Sequence, residues 1–184
     1  MKLAVVCLSL LLQQAGADAG TGSDSAADLH EQIQALLATR DTPVTPQQWR
    51  ALGPGALPEL ERLAADRSEL PTRRGRAIEG VGALGSHRAP KLLVRLSRSE
   101  DEPYVVRMSA IRGTGRTLSA SRQLVALQPV LEGAKDPALR GVTAEVLSRH
   151  ASSCEAVTAQ ATRETDEWRG RYKAALSRCG KAIQ

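Results

Sequence analysis

Apolar positions along this chain recur at three- and four-residue intervals, and no run alternates every second residue as a half-buried strand does. The first helical stretch is marked by Leu29, Ile33, Leu36 and Leu37 and is stopped by Asp41, Thr42 and Pro43. Thr45, Pro46, Gln47 and Gln48 then have the form of a capping box with proline at the first helical position, opening a short helix through Trp49 and Leu52. Gly53, Pro54 and Gly55 break it, and Leu57, Leu60 and Leu63 mark the next helix. Beyond this the spacing predicts helices over about 72–84, 88–98, 104–116 and 120–133, then one that opens at Pro137 and ends near Arg149. The predicted fold class is all-α.

The helices also repeat. Arg74, Ala77, Ile78, Gly80 and Gly82 recur 33 residues on as Arg107, Ala110, Ile111, Gly113 and Gly115, and Arg140 follows at the same interval. Leu60 and Leu63 recur as Leu93 and Leu96, then as Leu127 and Val130, the last step being one residue longer. A period near 33 in a helix-rich chain predicts stacked antiparallel helix pairs, a right-handed α-solenoid. Gly80, Gly82, Gly113 and Gly115 fall inside predicted helices, where each costs about 1 kcal/mol relative to alanine, so they are read as places where helices approach closely.

Each of two units opens with an acidic residue and proline ahead of the arginine: Asp136, Pro137, Ala138, Leu139, Arg140, and Glu102, Pro103, Tyr104, Val105, Val106, Arg107. In this opening, and in the Ala-Ile pair three residues after Arg74 and Arg107, the chain resembles the short bacterial type of HEAT repeat over about residues 42–163. The resemblance implies a scaffold or adaptor that buries a peptide or protein face on the concave side lined by the second (B) helix of each pair. It also implies that Arg74, Arg107 and Arg140 form a structural ladder bridging to an acidic group or carbonyl of the adjacent repeat. HEAT-like enzymes such as the bilin lyases are the nearest catalytic readings by resemblance, but they are cytoplasmic.

The N-terminus argues for export. Lys2, the apolar run Leu3 to Leu12 and the small residues Ala15, Gly16 and Ala17 predict a secretory signal peptide over 1–17, too short to span a bilayer. Residues 18–27, rich in Gly, Ser, Thr, Ala and Asp, read as a flexible leader, and 28–184 as the repeat domain with a C-terminal helical cap. A periplasmic or secreted location follows, with no membrane span after cleavage. The chain has 184 residues, 42% of them apolar, but only four aromatics, Trp49, Tyr104, Trp168 and Tyr172, and no Phe. The core must therefore be built from Leu, Val, Ile and Ala. So few aromatics leave little on which to stack bases, and nucleic acid is not an expected partner.

Arg88, Lys91, Arg95 and Arg98 share one face of a predicted B helix, with Arg62 one repeat earlier at the position of Arg95. They are candidates for binding an acidic partner or another anionic ligand; a solvated face is the competing reading. His30, His87 and His150 lie at no metal-ligand spacing, and no Gly-x-Ser-x-Gly elbow accompanies the serines, so neither a cofactor nor catalysis is expected.

Signal removal leaves Cys154 and Cys179, an even count for an oxidising compartment. Ser152, Ser153, Cys154 and Glu155 read as a capping box, and Gly180 as a helix stop. A straight helix would hold the two cysteines about 37 Å apart, whereas a disulfide needs Cα atoms within about 7 Å. Pairing requires the chain to fold back near Asp166 and Glu167, with Asp166 capping a final helix and Val157 and Ala161 facing Trp168, Tyr172 and Leu176. The alternative is one long helix, since these residues also keep helical spacing, with the thiols free or paired between chains.

Overall fold

The computed structural model describes residues 21–39 and 42–182, and among them there is no strand. The helices are α1 (Thr21–Ala38), α2 (Pro46–Ala51), α3 (Leu57–Ala65), α4 (Pro71–Leu84), α5 (Ala89–Arg98), α6 (Tyr104–Thr117), α7 (Ala120–Gly133), α8 (Pro137–Leu147), α9 (Cys154–Arg163), α10 (Asp166–Arg169) and α11 (Lys173–Ala182). Short 3₁₀ turns cover Pro54–Ala56, Ala151–Ser153 and Gly170–Tyr172. The signal-peptide reading of 1–17 and the first leader residues lie outside the described part. The rest of the leader, 21–27, belongs to α1, because the apolar turn at Leu29 and Ile33 continues backwards through residues that carry no helix breaker beyond Gly22.

Local chemistry sets the helix boundaries. Thr45 and Gln48 form the capping box reciprocally, Gln48 N–H donating to Thr45 Oγ1 at 3.2 Å and Thr45 N–H to Gln48 Oε1 at 2.8 Å. Prolines stand in the first turns of α2, α3, α4, α5 and α8, where a missing N–H costs nothing. Gly85 closes α4 in the left-handed region, at φ 65°.

α4 packs beside α6, and α6 beside α8; α3 packs on α4, α5 on α6 and α7 on α8. A Cβ on Gly82 would lie 3.0 Å from the Cα of Gly113, one on Gly80 2.9 Å from the Trp49 ring, and one on Gly115 against Val146. Gly82 and Gly113 let α4 and α6 meet almost backbone to backbone, and Gly80 and Gly115 make room for the side chains of Trp49 and Val146, which offsets their cost in helix propensity. The core runs in two continuous stretches. Ile33, Trp49, Leu60, Ile78, Leu93 and Val106 belong to the first; Ile111, Leu127, Leu131, Leu147, Val157 and Tyr172 belong to the second. α6 contributes to both.

The C-terminal segment folds back. Cys154 and Cys179 are disulfide-bonded with their Cα atoms 5.3 Å apart. The break falls at Glu164 and Thr165, so Thr165 rather than Asp166 precedes α10. The Ser152 to Glu155 capping box does not form, because Ser152, the residue that would cap, lies inside the 3₁₀ turn Ala151–Ser153 rather than in the extended conformation an N-cap needs. Tyr172 packs with Val157 and Ala161 as the spacing predicts. Trp168 stays half-exposed, with the Arg171 guanidinium 4.7 Å from its ring centre.

Candidate functional site

The three repeat-related arginines occupy matching joints. Arg74 Nε donates to the Ala64 carbonyl at 3.2 Å, Arg107 Nε to Ser97 at 3.3 Å, and Arg140 Nη1 to Ala134 at 2.7 Å. Ala64 and Ser97 are among the last carbonyls of α3 and α5, and Ala134 is the C-cap residue just past α7, so each cation meets the negative end of the preceding helix. Arg140 uses a later carbonyl relative to its repeat because α7 runs a turn longer.

Two of these joints contain a buried carboxylate. Glu102 pairs with Arg74 at 2.7 Å and with Arg67 at 3.3 Å. Burial works against the charged Glu102, but the two arginines outweigh it and hold its carboxyl below the usual range. Glu164, only 2% exposed, accepts from Arg140 Nε at 2.6 Å and Nη2 at 2.7 Å, from Gln160 at 2.9 Å and from the Tyr172 hydroxyl at 3.0 Å. Arg140 is the main reason its carboxyl is lowered to about 2. Burial, then the Glu164 charge, push the Tyr172 hydroxyl upward. The sequence placed Glu164 in a polar run and gave no sign that it would be buried; the repeat register of Arg140 is the only available hint.

The basic residues of α5 project outward as the spacing predicts: Arg88, Lys91, Arg95 and Arg98 are all exposed, opposite buried Leu93 and Leu96. Their roles differ. Arg98 donates to the carbonyls of Ala126 at 2.9 Å and Val125 at 3.0 Å on α7. Pro129 lies inside α7 and has no N–H, so the Val125 carbonyl four residues back lacks its helical donor. Arg98 supplies one from the neighbouring helix. Arg62, on α3, stands 3.9 Å from Asp66, a loose exposed pair. α5 itself contains no acidic residue.

Two further features were not apparent in the sequence. Val125 is 73% exposed on α7. Between α9 and α11 lies a groove of about 390 Å³ lined by Thr158, Ala161, Thr162, Arg169 and Leu176. Elsewhere, Glu79 on α4 has its carboxyl raised by burial, opposed by Arg116, Arg112 and Arg76.

His30 Nδ1 lies 2.8 Å from Glu59, and no group of His, Cys, Asp and Glu among the described residues is arranged to hold a metal ion. No helix among the described residues is long and apolar enough to cross a membrane. No family model matches the chain, and comparison with curated proteins and with solved structures found none similar to it.

Proposed function

We propose that the chain is a HEAT-like α-solenoid, exported from the cytoplasm, that acts without catalysis as a protein-binding scaffold or adaptor. The observation that carries the reading is the repeated joint: Arg74, Arg107 and Arg140, 33 residues apart, each fasten one helix to a carbonyl at the C-terminal end of the helix before it. A joint repeated at constant spacing builds a stack in which each unit touches its neighbours. In this reading α3, α5, α7 and α9 are the B helices and present the binding surface. Export is supported by the signal-like N-terminus and by the Cys154–Cys179 bond, which persists in an oxidising compartment.

The rival function is an anion binder working through α5, favoured by Arg88, Lys91 and Arg95, which extend from a helix with no carboxylate of its own. One experiment separates the two. The tagged full chain is used to capture protein from the envelope fraction at rising salt, beside a Lys91→Glu/Arg95→Glu variant. A scaffold captures a defined, stoichiometric protein partner and keeps part of that binding at high salt. A pure anion binder releases everything steeply as salt rises and holds no defined protein.

A further inference from the structure

The B-helix side changes character along the stack. At one end it is cationic: Arg62 on α3, Arg88, Lys91 and Arg95 on α5, and Arg122 on α7 are exposed. At the middle it becomes apolar, with Val125 exposed on α7. The buried positions of α7 recur 34 residues on in α9 and its C-cap (Gln123, Ala126, Leu127 and Val130 as Val157, Gln160, Ala161 and Glu164), which places Thr158 at the position of Leu124 and Thr162 at that of exposed Gln128, both beside Val125. Thr158 and Thr162 line the α9–α11 groove, whose apolar walls are Ala161 and Leu176. The groove's one cation is already engaged, since Arg169 pairs with Asp166 at 2.7 Å and donates to the Glu164 carbonyl. The groove therefore suits an apolar side chain rather than a charge. α5 packs on α7 and α7 on α9, and Arg98 ties the first two together through the Val125 and Ala126 carbonyls, so the cationic and apolar parts are held in fixed relation.

Resting on the scaffold reading, we infer that the partner is a protein segment with a short run of carboxylates followed by an apolar anchor. The carboxylates lie over α5 beside Lys91 and Arg95, and the anchor enters the α9–α11 groove. The spacing between the two parts follows from the stack. Adjacent packed helices lie about 8–10 Å apart, so the path from α5 across α7 to α9 is about 20 Å. An extended chain covers that distance in about six residues at roughly 3.3 Å each. Neither part is strong alone: exposed charges are screened by water and salt, and a single anchor buries little area. Their linkage supplies affinity and direction. A nucleic acid, or a membrane rich in anionic lipid, would satisfy the cations and leave the groove without a role.

The test uses the full signal-processed chain and a fluorescent peptide of four glutamates, a six-residue Gly/Ser spacer and two leucines. Binding is read by anisotropy against the same peptide without leucines. We expect removal of the leucines to weaken binding about tenfold or more, and Lys91→Glu/Arg95→Glu to weaken it by a similar factor while flattening its salt dependence. Thr162→Lys, an exposed position, should reduce the leucine peptide to the level of the leucine-free one and leave the latter unchanged. Thermal melts confirm that each variant is folded. Equal binding of the two peptides overturns the inference, as does indifference to Thr162→Lys. Polyphosphate or phosphatidylglycerol vesicles binding as tightly as the leucine peptide, in wild type and Thr162→Lys alike, also overturns it in favour of a general anion surface. If neither peptide binds but Lys91→Glu/Arg95→Glu still abolishes capture of an envelope protein, the peptide chemistry is wrong and the scaffold reading stands. If capture is also absent, both fall.

Discussion

Replacing Arg98 by methionine keeps most of its aliphatic stem and removes the guanidinium. Two hydrogen bonds are lost, to Ala126 at 2.9 Å and to Val125 at 3.0 Å. A buried hydrogen bond to a charged group is worth about 1.5–3 kcal/mol, but Arg98 is exposed, so we discount the pair to about 1–2 kcal/mol in total. For a chain of 184 residues this lowers Tm by roughly 2–8 °C. A companion substitution identifies the cause. Pro129→Ala restores an N–H that reaches back to the Val125 carbonyl, so one of the acceptors served by Arg98 gains a helical donor of its own. Arg98→Met should then cost about half as much in the Pro129→Ala background, a coupling of roughly 0.5–1 kcal/mol. Urea denaturation followed by far-UV circular dichroism on the four members of the cycle measures it. Equal costs in the two backgrounds, or no cost in either, would refute the idea that Arg98 replaces the donor lost at Pro129. The result also bears on binding, because an arginine engaged in holding α5 to α7 is withdrawn from the stripe formed by Arg88, Lys91 and Arg95.

Gly82→Ala gains about 1 kcal/mol in helix propensity, but drives a Cβ to 3.0 Å from the Gly113 Cα, an overpacking cost of about 1–3 kcal/mol, so thermal melts should show a net loss. Gly133→Ala in α7, with nothing within 4 Å, should show a net gain in the same assay. Glu164 has its carboxyl lowered from 4.5 to about 2, so its contribution, about 3 kcal/mol, is fully present above pH 4.5 and is lost as pH falls toward 2. Acid titration of stability should show this limb flattened in Glu164→Gln. Cys154→Ser/Cys179→Ser should cost about 3 kcal/mol, and the chain from Asp18 onward, unfolded without reductant, should contain no titratable thiol.

The helices were legible because their signals are local. The period of Leu60, Leu63, Leu93, Leu96, Leu127 and Val130 identifies one face, and proline and glycine mark most ends. The glycine contacts were legible because Gly80, Gly82, Gly113 and Gly115, inside two otherwise good helices, need a packing reason. The disulfide was legible as one of two readings: the even cysteine count favoured it and reach required a break between Cys154 and Cys179, but the helical spacing of Val157, Ala161, Trp168, Tyr172 and Leu176 also allowed one long helix. The break itself was misplaced by about two residues: Thr165 and Asp166 are both competent caps, and the buried Arg140–Glu164 contact, which no local rule encodes, selects the earlier position. Nor does local sequence show that Arg98 differs from Arg95. That difference arises from Pro129, more than thirty residues later on a neighbouring helix. The α9–α11 groove likewise forms only after the chain has folded back.

Duplication of residues 70–102, followed by small-angle X-ray scattering, tests the account most directly. The inserted segment carries Arg74 with its Glu102 and, at Ser97, the carbonyl that receives the next unit's arginine, in register with the unit that follows. If each unit contacts only its neighbours, the longer chain folds with proportionally more helix and its maximum dimension grows by about 10 Å, one helix spacing. A protein that aggregates, loses cooperative melting, or keeps its original length while the extra segment stays unfolded would contradict the repeat stack and the binding surface derived from it.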